Sequence, residues 1–88
     1  MKVEYLKPFL KDLSKISDES LRDTVYETIL IFKNSENIKL IPDIKKMKGH
    51  PDAFRLRIGK YRLGFYFDGE IIELGRFAKR DDIYKPFP

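Results

Sequence analysis

Eighty-eight residues, 42% of them hydrophobic, make one small domain spanning 1–88, near the size at which a single core becomes marginal. With no cysteine and a single histidine, His50, the chain has no disulfide, thiolate metal site or cysteine nucleophile, and a histidine metal centre or Ser-His-Asp triad is argued against. The net charge of +4 is uneven: residues 1–44 carry seven Lys and Arg against eight Asp and Glu, residues 45–88 eleven against six, the footprint expected for a polyanionic or acidic partner.

The first residues, MKVEYLKPFLKDL, alternate charge with apolar side chains instead of forming a signal-peptide core. No stretch approaches the apolar length of a membrane span, so the expectation is a soluble, cytoplasmic protein with no membrane partner. Residues 2–6 predict a short strand. Pro8 suits the first turn of a helix whose apolar side is Phe9, Leu13 and Ile16. Ser17 or Asp18 can cap a second, longer helix, with Asp18 and Glu19 at the positive end of its dipole. Leu21, Val25, Ile29 and Phe32 form its single apolar stripe, and Asn34-Ser35 end it. Both stripes read as core, so the two helices form a hairpin packed on a sheet.

The segment NIKLIPDIKKMKGHPD follows, and its Pro42, Gly49 and Pro51 predict a loop. Lys45, Lys46 and Lys48 can lie along a phosphate backbone there, or form an ordinary solvated edge. His50 reads as an exposed loop residue.

From Ala53 to Phe77 the pattern is three antiparallel strands. The run FRLRIGKYR folds into a hairpin if Gly59 takes the first position of a type II′ turn, which pairs Ile58 with Tyr61, Arg57 with Arg62, Leu56 with Leu63 and Arg55 with Gly64. Strand periodicity then gathers Arg55, Arg57 and Arg62 on one face and Phe54, Leu56 and Ile58 on the other. Two arginines across from each other are mildly unfavourable unless an anion binds between them; a solvated basic face is the alternative. Asp68-Gly69 is a type I′ signal, predicting pairs Phe65 with Ile72, Leu63 with Leu74, Gly64 with Glu73 and Arg62 with Gly75. Gly64 and Gly75 would then lower the floor of a basic trough, unless either marks a bulge.

In the tail AKRDDIYKPFP, Asp81 can cap one helical turn, placing Arg80 and Tyr84 at i and i+4. A guanidinium and a phenol so spaced can hold a phosphate and stack on a base; Tyr84 as an apolar anchor for the tail fits the spacing equally.

With these residues in view, the chain resembles the RelE toxins of the RelE/ParE superfamily. The likeness runs over the helical hairpin, then KKMKGHPDAFRLRIGKYRLGFYF, then LGRFAKRDDIY, and is sharpest from Lys48 to Arg62 and from Lys79 to Tyr84. It implies an α+β fold of order β-α-α-β-β-β, with the helical hairpin on one face of a small antiparallel sheet. The implied activity is metal-independent, ribosome-dependent cleavage of translated messenger RNA in the A site by 2′-hydroxyl attack, with no cofactor. The implied partners are messenger RNA on the ribosome, ribosomal RNA, and a cognate antitoxin that masks the basic surface in a hetero-oligomer.

By position, Arg55 and Arg57 fall where the RelE pattern often has lysines credited with activating the 2′-hydroxyl. Arg62 falls at the arginine that stabilises the scissile phosphate, Arg80 at the one associated with leaving-group protonation, and Tyr84 at the tyrosine that orients or stacks on the base. Lys45, Lys46, Lys48, Lys60 and Lys79 become RNA contacts. Arginine, with a pKa above about 12, is a poor general base. Arg55 and Arg57 therefore suit holding the backbone and stabilising the pentavalent phosphorane, and proton removal falls to ribosomal RNA, to Lys60 or Lys79, or is only weakly assisted. Lys79 also stands where many relatives carry histidine. The alternatives are a ParE-like toxin that inhibits DNA gyrase by binding, and a non-toxic RNA-binding module or decayed toxin.

Overall fold

The computed structural model describes residues 1–88 as β1 (Lys2–Tyr5), α1 (Lys7–Ser14), α2 (Glu19–Asn34), a 3-10 turn (Ile38–Leu40), β2 (Ile44–Lys46), β3 (Ala53–Ile58), β4 (Tyr61–Phe67) and β5 (Ile71–Lys79). No helix is long and apolar enough to cross a membrane. The architecture is α+β as expected, with two departures in the sheet. β1 lies parallel to β5, Lys2 opposite Ile71 through Tyr5 opposite Leu74, so the five-stranded sheet of order β1-β5-β4-β3-β2 is mixed, not wholly antiparallel. The segment expected to be a loop contributes β2, pairing Ile44, Lys45 and Lys46 with Leu56, Arg55 and Phe54. Three residues are too few to show a period, and this strand exists because β3 offers it a ladder.

The helices follow the sequence closely. Pro8 sits in the first turn of α1, which buries Phe9 and Leu13. Asp18 caps α2, its carboxylate accepting the Leu21 N–H at 3.2 Å, and Glu19 lies in the first turn. At the other end, where the carbonyls of a helix lack partners, the amino group of Met1 donates to the carbonyls of Phe32, Lys33 and Ser35 at 3.1, 2.9 and 2.9 Å. α1 is too short to persist alone and is tied to the sheet by Asp12. Its carboxylate takes Arg76 Nε at 2.8 Å, Arg76 Nη2 at 3.1 Å and the Phe77 N–H at 3.0 Å, closing the part of the β5 edge that β1 does not reach.

The main core lies between helices and sheet and joins Phe9, Leu13, Val25, Ile29 and Phe32 to Leu56, Ile58, Leu63, Phe65, Ile72, Leu74 and Phe77. Each large side chain fully buried here contributes roughly 1.5–3 kcal/mol. The first hairpin has the predicted register throughout, and Gly59 at φ +57° is its one positive-φ turn residue, as a type II′ turn requires.

The second hairpin differs. Phe67 pairs with Ile72 and Phe65 with Leu74, two residues from the expected register, because Asp68 does not close a two-residue turn. Its carboxylate accepts the N–H groups of Glu70 and Ile71, both at 2.9 Å, stabilising a four-residue loop. Beyond Leu74 the ladder slips again: Gly64 pairs with Arg76, leaving Gly75 as the extra residue of a bulge. Had Gly75 joined the ladder, Phe77 would lie across from Arg62. The bulge instead places Phe77 across from Leu63 in the core, and Ala78 across from Arg62.

Candidate functional site

Five residues from three parts of the chain meet on the sheet face opposite the helices. Arg55 and Arg57 project from β3, Arg62 from β4, and Arg80 and Tyr84 from the tail, all lining a cleft of about 530 Å³ together with Asp43, Ile44 and Lys45. The turn of the first hairpin and the end of β5 are joined by the pair Tyr61–Lys79 and by the Arg80 N–H donating to the Lys60 carbonyl at 2.9 Å. That bond fixes where the tail departs and thus where Arg80 begins.

The tail is not a helical turn capped by Asp81 but a series of turns anchored on the Lys79 carbonyl, which accepts the N–H groups of Asp82 and Ile83; Phe87 N–H then donates to the Ile83 carbonyl at 3.0 Å. Ile83 and Phe87 bury themselves with Met47 and Ala53 in a second, smaller core on this face. One residue after each buried or bonded position, Arg80 and Tyr84 face the cleft. The predicted trough floored by Gly64 and Gly75 is therefore not open to a ligand. A β-carbon on Gly64 would stand 2.7 Å from the Phe87 ring, and one on Gly75 3.0 Å from it, so the glycines make room for the protein's own tail.

Arg62 is the most buried charge, 8% exposed, with Nη1 donating to the carbonyls of Gly59 at 3.0 Å and Tyr61 at 2.9 Å. Those bonds hold the fork in place. Burial lowers its guanidinium pKa from the ordinary value, as do the charges of Arg55 and Arg80; Tyr84 opposes the shift and Arg57 adds to it. The lowered value reflects how little solvent and how many like charges surround this guanidinium.

Asp43 is a cleft residue that neither strand periodicity nor the family resemblance indicates. It has φ +67°, a left-handed conformation that aspartate tolerates better than most residues. Its carbonyl accepts the Arg57 N–H at 3.1 Å and Arg55 Nη1 at 3.5 Å, and its Oδ1 pairs with Arg57 Nη2 at 3.0 Å. The signal was the Pro42-Asp43 dipeptide, a turn marker with proline ahead of a residue able to take positive φ.

The lysines divide. Lys45 is across from Arg55 and lines the cleft; with Lys48 it also borders an adjoining recess of about 340 Å³ beside Tyr84 and Phe87. Lys60 and Lys79 flank the opposite end, in a recess of about 440 Å³ shared with Arg57, Arg62 and Arg80. Lys46 is paired with Phe54, on the helix side of β2, and only edges the basic surface. His50 lies outside the cleft: its ring packs 5.3 Å from that of Tyr66, and its Nδ1 accepts the Asp52 N–H at 3.1 Å.

No family model matches the sequence. Toxin RelE3 of Methanocaldococcus jannaschii is 37% identical over 89 residues, covering all of both chains. Among solved structures, the RelB-RelE antitoxin-toxin complex of Methanococcus jannaschii superposes with a TM-score of 0.81 at 34% identity, over 97% of this chain and 99% of that one. The RelE-RelB complex of Pyrococcus horikoshii OT3 gives 0.70 at 20% identity over 92% and 96%, a likeness of fold. A small α+β toxin scaffold is thus defined by both sequence and fold. The chain belongs to the RelE toxin family.

Proposed function

We propose that this protein is the toxin of a type II toxin-antitoxin pair and a ribosome-dependent endoribonuclease that cuts translated messenger RNA in the A site. The observation that carries this reading is the convergence of Arg55, Arg57, Arg62, Arg80 and Tyr84 on one cleft. Attack of a 2′-hydroxyl on the adjacent phosphodiester builds negative charge on the non-bridging oxygens, and guanidinium groups fixed beforehand stabilise that charge without reorganising. Arg62, immobilised by two carbonyls, fits the scissile phosphate. Arg55 and Arg57 hold the backbone beside it; Arg80 stands at the leaving oxygen, and the half-exposed Tyr84 ring offers a face to a base.

Orientation supplies much of the rest, worth roughly 7–11 kcal/mol in favourable intramolecular systems. The ribosome presents the message in a fixed geometry, so activity on free RNA is weak. Lys45, Lys48, Lys60 and Lys79 extend the contact along the nucleic acid from both ends of the cleft, with Lys46 at its margin. The two archaeal structures named above are complexes of RelE with RelB. By the same token a cognate antitoxin covers this cleft in a hetero-oligomer, with acidic or apolar groups replacing the phosphates.

Primer extension on a message in a purified translation system tests the reading. Codon-phased cuts made by the wild type and lost in Arg62→Ala and Arg80→Ala are expected. An intact message beside inhibited gyrase supercoiling overturns it in favour of a binding toxin.

A further inference from the structure

Resting on the ribonuclease reading above, we propose that Asp43 is the general base that takes the proton from the attacking 2′-hydroxyl. It is the sole carboxylate lining the cleft itself, among four arginines and a lysine; Asp81 lies in the recess beyond, with Lys60 and Lys79. Lysine and arginine are protonated in neutral water and must lose a proton before they can accept one, whereas a carboxylate is already in its basic form. The geometry leaves half of this carboxylate for chemistry. Oδ1 is held by Arg57 at 3.0 Å, and Oδ2 accepts no hydrogen bond from the protein.

Arg57 in turn stands across the ladder from Arg62, so the group that would take the proton is bonded to the same hairpin that carries the group that would hold the phosphate. The left-handed backbone at Asp43 is clamped by the bond from the Arg57 N–H to its carbonyl. A residue kept in an uncommon conformation beside a charged cleft is the kind of constraint that accompanies a functional position.

In the step itself, the 2′-hydroxyl proton passes to Oδ2 and the electron pair left on the 2′-oxygen forms the new bond to phosphorus. The bond from phosphorus to the 5′-oxygen breaks, its pair remaining on that oxygen, which takes a proton from solvent beside Arg80. The products are a 2′,3′-cyclic phosphate and a 5′-hydroxyl, and Asp43 returns its proton to water.

The test is single-turnover cleavage on programmed ribosomes as a function of pH, for the wild type, Asp43→Asn and Asp43→Gly. Both substitutions tolerate positive φ, so the turn is retained, and asparagine can still accept from Arg57. The expected loss at neutral pH is about 10²-fold or more. It is accompanied by disappearance of the acid limb of the rate profile and by partial recovery of Asp43→Gly on addition of formate, with ribosome binding kept. Rates for Asp43→Asn within about threefold of wild type overturn the assignment, as does an equal loss at every pH with the acid limb intact, the mark of a residue that only orders Arg57. A wild type that leaves the message whole defeats the ribonuclease reading and this assignment together. A wild type that cuts, beside a variant that cuts equally well, defeats this assignment alone.

Discussion

The ring of Phe87 occupies the space above Gly64: three of its ring carbons lie 2.7, 2.8 and 2.9 Å from where a β-carbon would stand. Phe87 is 2% exposed and cannot retreat without abandoning the second core. Gly64→Ala is therefore expected to destabilise the fold by about 1–3 kcal/mol, as overpacking does. Phe87→Ala alone is expected to cost about 3–5 kcal/mol. In the double variant the clash is gone, so urea unfolding should show the two losses to be clearly less than additive.

Asp12 serves three donors with one carboxylate, and its side chain is 12% exposed against 32% for Arg76. Asp12→Ala leaves the Phe77 N–H and the Arg76 guanidinium without their partner. A loss of about 2–3 kcal/mol is expected, below the range for fully buried pairs because Arg76 reaches solvent. Asp12→Asn should retain part of it. Denaturation midpoints distinguish the two, and the cleft, which neither Asp12 nor Arg76 lines, should keep its activity.

Arg62→Lys tests the fork rather than the charge. A lysine ammonium keeps the positive sign but cannot bond the Gly59 and Tyr61 carbonyls while presenting a second planar donor to phosphate. Single-turnover cleavage on the ribosome should fall about 10²-fold, comparable to removing one donor from a preorganised anion site. Activity equal to wild type would show that charge alone suffices.

Asp68 gives a pH dependence of defined sign. The backbone N–H groups of Ile71 and then Glu70 hold its carboxyl below the ordinary value of 3.8. A group depressed in the folded state contributes stability that is present above its unfolded pKa and lost as pH falls through the folded one. The stability gap between wild type and Asp68→Asn should be largest at neutral pH, shrink below about pH 4 and close under more acidic conditions, as read from urea midpoints across that range.

The helices and the first hairpin were legible because their signals are local: Asp18 as a cap, Pro8 in a first turn, Gly59 at a tight turn, and stripes of adequate length. The second hairpin was not, because Asp68-Gly69 satisfies two different loops. The carboxylate contacts that select the longer one depend on side-chain geometry rather than composition. β2 was hidden by its length and by Pro42 beside it. Within the cleft, Arg55, Arg57, Arg62, Arg80 and Tyr84 could be named from spacing and resemblance; for Asp43 the Pro42-Asp43 dipeptide marks only a turn, and its place in the cleft depends on a partner, Arg57, in another strand. Gly64 and Gly75 were expected to floor an open trough or to mark a bulge, and only the bulge, at Gly75, is found. What approaches them is the tail, a contact between distant positions that no local pattern encodes.

Along a strand each residue carries one binary choice, inward or outward, and an ordinary ladder never lets that choice change phase. Gly75 changes it once. Ahead of it Ile72 and Leu74 serve the core, and after it the alternation restarts so that Phe77 is enclosed and the small side chain of Ala78 is left facing Arg62. Which cation is sheltered in the cleft is thus decided partly by a residue with no side chain on the neighbouring strand. The phase of β5, as much as the identity of Arg62, is an inherited component of the site.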